Sequence, residues 1–559
     1  MNLTPDQRAS GKEKFHESIG MNRRDFLKGG LLAGAVSGAG LGAMYFGYEK
    51  SVASPLRVGF IGVGDEGNVL LNAITPSYIQ VVAIADIRPF SVHRAFHGDH
   101  SSESALKNRC GLMTKYGWKS EDEARRNVKV YSDDYHDLLK DPNVEAIVIA
   151  LPLHLHAPVA VEAMKAGKHV LTEKLMAHSV HECKEMGRIA KQTGKILAVG
   201  HQRHYSILYD NAVDTIRRGA IGDIHHIRAQ WNRGNLPGRD SWTPPMPDDE
   251  KLAKRLESLK RELQGARDAS IDRLAALVAQ TEAQIADKEL DASKYGYEEI
   301  TLSDGRKRSA MEELIRWRLW NRTGGGLMAE LGSHQLDAAG IFISGLREDG
   351  EKALPITVSA VGNRNLFPLD RDCEDHVYCI YEFPGPQYAE DPKKVIGVTY
   401  SSINGNGWGG YGETVLGTKG TLLLERERDV MLFPVADDEA ASSSTKVAVT
   451  KAASSAPTLD TTSSGGGEAA AIGKQALEGG PPSRGYTEEL EHWAWCIRNP
   501  DPKNVPRCNP KVALGDAVIA LTTNIAIRDN RRIEFAKGWF DLDSDETPEG
   551  VKPDVSKYA

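Results

Sequence analysis

A short apolar strand that runs directly into a glycine-rich turn constrains this chain more than any other feature. Residues 56–61 (Leu-Arg-Val-Gly-Phe-Ile) lead into Gly62, Gly64 and Gly67 with the spacing Gly-x-Gly-x-x-Gly, and an apolar, helix-compatible segment follows at 69–74. In this order Gly62 permits a tight turn, Gly64 lets the backbone approach a pyrophosphate, and Gly67 lets helix and strand pack closely. The free N–H groups at the start of the helix favour phosphate binding. The segment therefore predicts a dinucleotide site.

An acidic residue follows the second predicted strand. The apolar run 79–85 ends in Asp86, about 20 residues beyond the glycine turn, where a carboxylate accepts hydrogen bonds from the adenosine ribose hydroxyls. Such a carboxylate repels a 2′-phosphate, which favours NAD over NADP, although the nearby Arg88 argues for NADP. Asp65 and Glu66, which open the predicted helix, are further candidates for contact with the cofactor. The alternative for Asp86 is a solvated residue at a strand end.

The first 54 residues are typical of an export signal rather than of a folded domain. The run 22–28 (Asn-Arg-Arg-Asp-Phe-Leu-Lys) is a twin-arginine core, residues 29–48 are apolar and rich in Gly and Ala, and residues 51–53 are small enough for cleavage. A membrane anchor is the alternative, because about 20 apolar residues can span a bilayer. The arginine pair favours export. We expect a periplasmic or extracytoplasmic protein that meets the membrane only through this signal.

Charge and length restrict the class of protein further. Removal of residues 1–53 takes away seven Lys/Arg and five Asp/Glu, which changes the formal charge from −8 to −10. No basic segment then suggests nucleic acid as a partner. Roughly 500 remaining residues are too many for one core, so we expect at least two domains. The six cysteines form no Cys-x-x-Cys pair, and we expect mostly free, buried thiols. The sequence leaves open whether Met1 or Met21 is the start.

The two halves of the chain have different patterns. Residues 55–200 alternate strands and helices, and continuous apolar strands such as 146–150 indicate a parallel sheet that is buried on both faces. Residues 201–540 carry strand-like segments without alternating helices, which indicates an α+β domain with a mostly antiparallel open sheet. The prediction is an α/β Rossmann domain that binds NAD, a second α+β domain, and a tail at 541–559.

Two insertions interrupt the second half. Residues 245–320 are highly charged, and leucines at 252, 256, 259 and 263 form a stripe with helical spacing. We expect a helical hairpin that serves as a lid, a dimer contact or, by default, a surface ornament. Residues 436–483 are rich in Ser, Ala, Thr and Gly and lack the apolar content to order themselves. They predict a mobile, disordered loop.

The first candidate for catalysis lies at a strand end. The apolar strand that starts at His169 ends in the pair Glu173-Lys174, at the carboxyl edge where open parallel sheets bind ligands. A partly buried lysine can pass a proton to or from a substrate hydroxyl. The alternative is an exposed ion pair between the two neighbours.

A second pair of candidates follows three glycines at 324–326. If the segment is helical, Glu330 and His334 are at i and i+4 and share a face. A carboxylate and an imidazole on one face can orient each other and act as acid/base partners. Such a pair is more often a surface feature, but the preceding glycines favour a functional role.

These three sites, in this order, resemble the glucose–fructose oxidoreductase, inositol dehydrogenase and MocA (Gfo/Idh/MocA) family. The resemblance covers nearly all of residues 56–540 outside the two insertions. Other segments that resemble the family are 151–158, 166–170, 200–203, 417–422 and the stretches 509–513 and 532–535.

The resemblance implies hydride transfer between a nicotinamide and a carbon of a sugar or cyclitol. It implies that Lys174 and His334 are the catalytic residues, with Glu330 at a position where the family usually has Asp. Leu175 stands where the family usually has a proline after Glu-Lys, which is often cis. The positions that line the cofactor match Pro152, His154, Glu173, Lys174 and Gln202. The family's open sheet often forms the oligomer contact, so we expect a homo-oligomer, a dimer or tetramer.

Histidine pairs could suggest a metal site. The pairs at 154/156, 201/204 and 225/226 have no matching set of carboxylates or cysteines that converges on them in the sequence. We therefore expect no metal.

Export changes the expected use of the cofactor, because soluble NAD is not readily recycled outside the cytoplasm. The leading hypothesis is an oxidoreductase that retains its cofactor and acts on a sugar, with substrate contacts from loops at 231–242 and 317–323. An NAD-dependent glycoside hydrolase, which works by transient oxidation, elimination, hydration and reduction, is the second. A non-catalytic sugar-binding protein is the third.

Overall fold

The computed structural model describes most of the chain. The described residues are 3–18, 43, 46–49, 52–267, 270–347, 349–435, 448–451, 457–460 and 484–550. The predicted twin-arginine core at 22–28 lies outside them, as do most of the apolar segment behind it and most of the predicted loop at 436–483.

Strands and helices alternate in the first part of the chain, and strands dominate the second. The strands are β1 (Leu56–Ile61), β2 (Ile79–Ala85), β3 (Lys129–Tyr131), β4 (Ala146–Ile149), β5 (His169–Glu173), β6 (Leu197–Gly200), β7 (Ile224–Asn232), β8 (Ile300–Thr301), β9 (Lys307–Arg308), β10 (Thr357–Asn363), β11 (His376–Pro384), β12 (Val395–Ile403), β13 (Tyr411–Gly417), β14 (Gly420–Glu425), β15 (Asp429–Pro434), β16 (Ala448–Lys451), β17 (Pro457–Asp460) and β18 (Ile533–Glu534).

The described α-helices cover both sheets. They are α1 (Pro5–Ser18), α2 (Asp65–Ala73), α3 (Pro89–His97), α4 (Glu103–Asn108), α5 (Gly111–Tyr116), α6 (Glu121–Asn127), α7 (Tyr135–Lys140), α8 (His156–Lys165), α9 (Val180–Thr193), α10 (Ile207–Arg217), α11 (Glu250–Gly265), α12 (Ser270–Ala286), α13 (Ala310–Ile315), α14 (Asn321–Gly324), α15 (Ser333–Ser344), α16 (Tyr486–Arg498) and α17 (Pro510–Asp529). Short 3₁₀ turns lie at 153–155, 202–205, 287–289, 292–295, 317–319 and 537–540, and a π-helical turn lies at Met328–Gly332.

The first sheet has six parallel strands in the order β3-β2-β1-β4-β5-β6. All four residues of β4 are buried, as expected for a strand with helices on both faces of its sheet. Strand order reverses between β1 and β4, and the crevice at such a point is where doubly wound sheets bind ligands. The predicted parallel Rossmann sheet is confirmed.

The second sheet has eight strands in the order β15-β14-β13-β7-β12-β11-β10-β18. Its pairs are antiparallel except for β7 with β12, which confirms the predicted mostly antiparallel sheet. Helices α15 and α17 pack on one face. On the other face Val361, Tyr378 and Ile380 are exposed, so this sheet is open on one side.

The last part of the chain returns to the first sheet. Leu490, Trp493 and Ala494 of α16 lie in the same core cluster as residues of β1 and β2, and α17 packs on α9. Helix α17 is the one described helix long and apolar enough to cross a membrane, and 72% of that apolar window is buried in the protein. It joins the cores of the two sheets, because Ile519 lies in one cluster and Leu514 in the other.

The insertion after β7 begins with a helical hairpin, as the leucine stripe predicts. Helices α11 and α12 pack together, and Lys260 forms an ion pair with Glu282 at 2.7 Å. Residues 287–324 fold as short helices and the small β8–β9 ribbon instead of continuing the hairpin. Helix α12 packs on α3 of the first domain. The hairpin therefore contacts the first domain, and its role as a lid, a dimer contact or a surface ornament stays a prediction.

Part of the predicted signal region is also folded. Helix α1 packs on β15, with Lys12 paired to Asp429 at 2.6 Å and Phe15 buried in the core of the second sheet. The expectation that this region stands apart from the fold does not hold for residues 5–18. A mostly polar segment with one buried aromatic residue gave no periodic pattern that would have predicted the contact.

The cysteine prediction is confirmed. All six cysteines are free thiols, and all but Cys110 are buried.

Candidate active site

The glycine turn has the geometry that the sequence predicts. Gly62 has a φ of +85°, and a Cβ there would lie 2.4 Å from the Ala150 carbonyl oxygen. A Cβ on Gly67 would lie 2.4 Å from the Gly62 carbonyl oxygen, whereas a Cβ on Gly64 would meet nothing within 4 Å. Two glycines are thus required by the packing of the chain itself. The third leaves open space before the N-terminus of α2, which fits a pyrophosphate.

Asp86 supports the glycine turn directly. Its Oδ2 accepts the Val63 N–H at 2.8 Å and its Oδ1 accepts the Arg88 N–H at 2.8 Å. Each carboxylate oxygen can accept a second hydrogen bond, so the group can hold the turn and still bind a ribose hydroxyl. The sequence predicted the second role and missed the first.

The other charged candidates at this edge are held by partners in the protein. Arg88 donates from Nε to Asp287 Oδ2 at 2.8 Å, so its guanidinium is tied to the insertion. Asp65 pairs with Arg94 at 2.6 Å. Burial raises the pKa of Asp65, but Arg94 outweighs this effect and lowers it to about 2.

Lys174 projects from the carboxyl end of β5 towards the second domain. Its Nζ donates to the Glu330 carbonyl oxygen at 2.9 Å and lies 3.6 Å from Glu330 Oε2. The Lys174–Leu175 peptide bond is cis, and Leu175 is buried. The ammonium group is thus fixed by Glu330, which the sequence proposed as the partner of His334.

Glu330 does not form the predicted pair with His334. It lies in the π-helical turn before α15, which changes the register of the predicted i, i+4 face. Its Oε1 accepts from Arg318 Nε at 2.8 Å. Burial favours a higher pKa for Glu330, but Arg318 and Lys174 hold it at about 2. The carboxylate is therefore ionised at neutral pH and acts as a fixed anion rather than as a proton carrier.

His334 lies where a neutral imidazole is favoured. Its Nδ1 is buried and has no partner among the described residues. Burial and then the charge of Lys174 lower its pKa well below 6.5. The ring of Trp231 lies 5.6 Å from the His334 ring and stacks on Tyr411 at 4.3 Å. An unprotonated imidazole beside an ammonium group and an aromatic wall can accept a proton from a substrate hydroxyl.

Two buried carboxyl groups lie behind Lys174. Burial raises the pKa of both Glu66 and Glu173, and the charge of Lys174 only partly offsets this effect. Glu173 Oε2 accepts the Lys174 N–H at 3.2 Å. The structure therefore brings both predicted cofactor residues close to Lys174.

The remaining predicted cofactor residues lie in two separate regions: Pro152 and His154 follow β4, and Gln202 faces the second domain. Pro152 begins the turn after β4, and the His154 ring that follows meets Tyr297 edge-on at 5.7 Å. Burial lowers the pKa of His154 to about 4. Gln202 is buried and its Nε2 lies 3.5 Å from Glu427 Oε1, so its amide turns to the second sheet instead of the glycine turn.

Several site residues were missed by sequence reasoning. The predicted substrate loops at 231–242 and 317–323 do reach the site, but nothing in their patterns singled out Arg233 or Arg318. Arg484, which pairs with the buried Glu427, comes from a segment that follows the Ser/Gly-rich region. No local signal could have found it.

One buried group of His and Asp side chains has the spacing of metal ligands. Ligand atoms of His201, Asp337 and Asp516 lie within 4.8 Å of one another. The Lys352 ammonium is 2.9 Å from Asp337 Oδ1 and 2.7 Å from Asp516 Oδ1. This lysine supplies the positive charge that the two buried aspartates need.

Comparisons with known proteins agree with this geometry. Residues 56–201 match the Gfo/Idh/MocA family, described as an oxidoreductase family with an NAD-binding Rossmann fold. An uncharacterised oxidoreductase of Escherichia coli is 31% identical over 115 residues, 21% of this chain and 33% of that protein. An inositol 2-dehydrogenase/D-chiro-inositol 3-dehydrogenase of Lactiplantibacillus plantarum is 30% identical over 169 residues, 30% of this chain and 41% of that protein.

One solved structure is similar in fold to both domains of this chain. An oxidoreductase domain protein from Kribbella flavida superposes with a TM-score of 0.50 at 14% identity and covers 87% of this chain and 100% of that one. The sequence matches span about a third to a half of the length of the curated relatives. Residues 56–201 are thus similar in sequence to the NAD-binding Rossmann domain of the Gfo/Idh/MocA oxidoreductases.

Proposed function

We propose that this protein transfers hydride between a carbon of a sugar or cyclitol and a nicotinamide dinucleotide that it keeps between turnovers. The observation that carries the proposal is that the Lys174 ammonium, at the carboxyl edge of the Rossmann sheet, binds the Glu330 carbonyl oxygen at 2.9 Å, four residues before the buried, neutral His334. An inositol 2-dehydrogenase among the relatives supports a polyol substrate.

The residues of the glycine turn would hold the cofactor. The open space at Gly64 and the N–H groups of α2 fit its pyrophosphate, and Asp86 fits the adenosine ribose. When bound, the dinucleotide supplies the hydride acceptor or donor at its nicotinamide ring. NAD is favoured over NADP because Asp86 would repel a 2′-phosphate and Arg88 is already paired with Asp287.

Lys174 and His334 divide the proton chemistry. His334 is unprotonated at neutral pH, so it accepts the proton of the substrate hydroxyl as that carbon is oxidised. The Lys174 ammonium donates a hydrogen bond to the same oxygen and stabilises the negative charge that develops there. Glu330 holds Lys174 and Arg318 in place as a permanent anion.

Contacts of the insertion support retention of the cofactor. Asp287 is fully buried and accepts from Arg88 Nε and from the Phe90 N–H at 3.0 Å. Gln280 bridges the His100 N–H at 2.7 Å and Asp99 Oδ1 at 3.0 Å. These bonds fasten the insertion beside Asp86, next to the proposed adenosine site, where it would slow the exchange of a dinucleotide.

The surroundings of the enzyme are part of the proposal. The twin-arginine run at 22–28 supports export of the folded, loaded protein. The open face of the second sheet, with Val361, Tyr378 and Ile380 exposed, supports a homo-oligomer that covers it.

The test is the cofactor content and the substrate range of the purified protein. After denaturation we expect about one NAD(H) per chain, and free sugars or cyclitols should reduce the bound nicotinamide. Release of nitrophenol from aryl glycosides without net reduction would show the redox-neutral hydrolase instead. A protein that holds no dinucleotide and binds none when it is added would contradict both enzymes and leave a sugar-binding role.

A further inference from the structure

We infer that the substrate carries an anionic group, a carboxylate or a phosphate, and that Arg233 binds it. The inference rests on the proposed function, because it assigns a substrate class to the same site. It comes from the side chains that line the second-domain wall of the pocket, beyond the residues that carry the proton chemistry.

Arg233 is held in place without an acidic partner. It directly follows β7, and its backbone N–H donates to the Ile403 carbonyl oxygen at 2.9 Å. Its guanidinium lies 5.7 Å from the ring centroids of both Trp231 and Trp242. Within the described part of the chain, no carboxylate lies at ion-pair distance from it and its guanidinium donates no hydrogen bond. Two indole rings therefore orient a half-buried cation whose N–H groups are unused.

The carboxylates that act on Arg233 are Glu330 and Asp240, and both are bound to other cations, Asp240 to Arg371 at 2.8 Å. Lys174, Arg233 and Arg318 all act on one ionised carboxylate, that of Glu330. Arg318 and Lys174 contact Glu330 directly, at 2.8 and 3.6 Å, which leaves Arg233 as the cation without a counter-ion. Partial desolvation of such a cation costs free energy while the site is empty. Binding of an anion offsets that cost.

The position of Arg233 fits one end of a sugar-sized ligand. Arg233 and His334 share Trp231 as a neighbour, because its ring is 5.7 Å from the Arg233 guanidinium and 5.6 Å from the His334 ring. An anion on Arg233 would thus lie on the same aromatic neighbour as the proposed proton acceptor, which suits a sugar ring with an exocyclic anionic group. The flat guanidinium presents parallel N–H groups that match the oxygens of a carboxylate or a phosphate.

Four sugars test the inference on the NAD-loaded protein. D-glucuronate supplies a carboxylate, glucose 6-phosphate supplies a phosphate, and glucose and myo-inositol are neutral. Binding is measured by the tryptophan fluorescence that Trp231 and Trp242 contribute, and reaction is measured by reduction of the bound nicotinamide. We expect at least one acidic sugar to bind about tenfold or more tighter than the neutral sugars, and the two acidic arms identify which group is recognised.

Variants assign the preference to Arg233. Arg233→Gln should weaken binding of the acidic sugar about 10- to 100-fold and leave the neutral sugars unchanged, and Arg233→Lys should recover part of the loss. Arg228→Gln, on an exposed arginine of β7 outside the substrate loop, is the matched control and should change neither. Thermal unfolding checks that all three variants fold.

Two outcomes would overturn the inference. One is equal binding of acidic and neutral sugars by the wild-type protein. The other is an equal loss for both classes in Arg233→Gln when Arg233→Lys and the control fold normally. An acidic sugar could also bind selectively while none of the four compounds reduces the nicotinamide. That result would contradict the proposed function but support the anion site.

Discussion

The two walls of the active site are built in different ways. The Rossmann wall is made of backbone from one short stretch, residues 62–67, with Asp86 behind it. The second-domain wall is made of charged and aromatic side chains from separate segments, among them Trp231, Arg318 and His334. In the proposed function, the first wall binds the dinucleotide, and the charges of the second wall select the substrate and move a proton.

The difference teaches where each kind of specificity resides. Backbone N–H groups and missing Cβ atoms recognise a phosphate that every dinucleotide shares. Side chains such as Arg233 and His334 can be substituted without altering the glycine turn. The cofactor site should therefore be unaffected by substitutions in the second-domain wall. Variants on the two walls should separate cofactor binding from turnover.

The largest effect is expected where the two walls meet. Lys174→Ala should lower kcat about 10³-fold, because the ammonium that stabilises the substrate oxygen is lost, while the content of bound NAD(H) stays the same. Lys107→Ala, on an exposed helix of the first domain, is the control. Unchanged turnover in Lys174→Ala would remove this residue from the mechanism.

The ionised Glu330 makes the second wall sensitive to pH. Its pKa in the folded protein, about 2, is below the ordinary value of 4.5, so the ion pairs stabilise the fold above pH 4.5 and this stabilisation is lost as the pH falls through 2. The shift corresponds to about 3 kcal/mol at neutral pH. Glu330→Gln should lower the free energy of unfolding by about that amount at pH 7 and by progressively less in acid. A difference independent of pH would show that Glu330 acts through packing alone.

The backbone wall can be tested without disturbing the fold. A side chain at Gly64 meets no protein atom within 4 Å, whereas one at Gly67 would lie 2.4 Å from a carbonyl oxygen. Gly64→Val should therefore weaken dinucleotide binding about 10- to 100-fold with little change in the unfolding temperature. Gly67→Val should lower the unfolding temperature as well. Normal dinucleotide affinity in Gly64→Val would place the pyrophosphate elsewhere.

The smallest expected effect concerns the insertion that links the walls. Asp287→Ala removes two hydrogen bonds to the first domain, and we expect the bound cofactor to dissociate about tenfold faster. Glu289→Gln changes an exposed carboxylate of the same insertion and should leave the rate unchanged. Equal dissociation rates in the wild type and Asp287→Ala would show that the insertion does not retain the cofactor.

The same difference explains what the sequence could predict. Gly62, Gly64, Gly67 and Asp86 lie close together in the chain, so their spacing alone indicated the sheet edge and its ligand. Lys174 was found because it ends a strand of that same sheet. The parallel and mostly antiparallel sheets followed from the periodicity of their strands.

The second wall could not be predicted in detail. The predicted pair of Glu330 and His334 assumed a regular helix, and the π-helical turn at 328–332 directs Glu330 to Arg318 instead. Arg318 and Arg484 reach the site through tertiary packing, which leaves no local pattern. Helix α1 was missed for the same reason, because its contact with β15 depends on a distant edge strand.

The most direct test of the account is the path of one hydrogen atom. The purified, NAD-loaded protein is incubated with a ring-deuterated sugar or cyclitol that it turns over, and the dinucleotide released by denaturation is analysed by mass spectrometry. The account predicts deuterium on the nicotinamide ring in the wild-type protein and almost none in Lys174→Ala, although both hold the cofactor. Turnover of the labelled substrate without deuterium in the dinucleotide would contradict it.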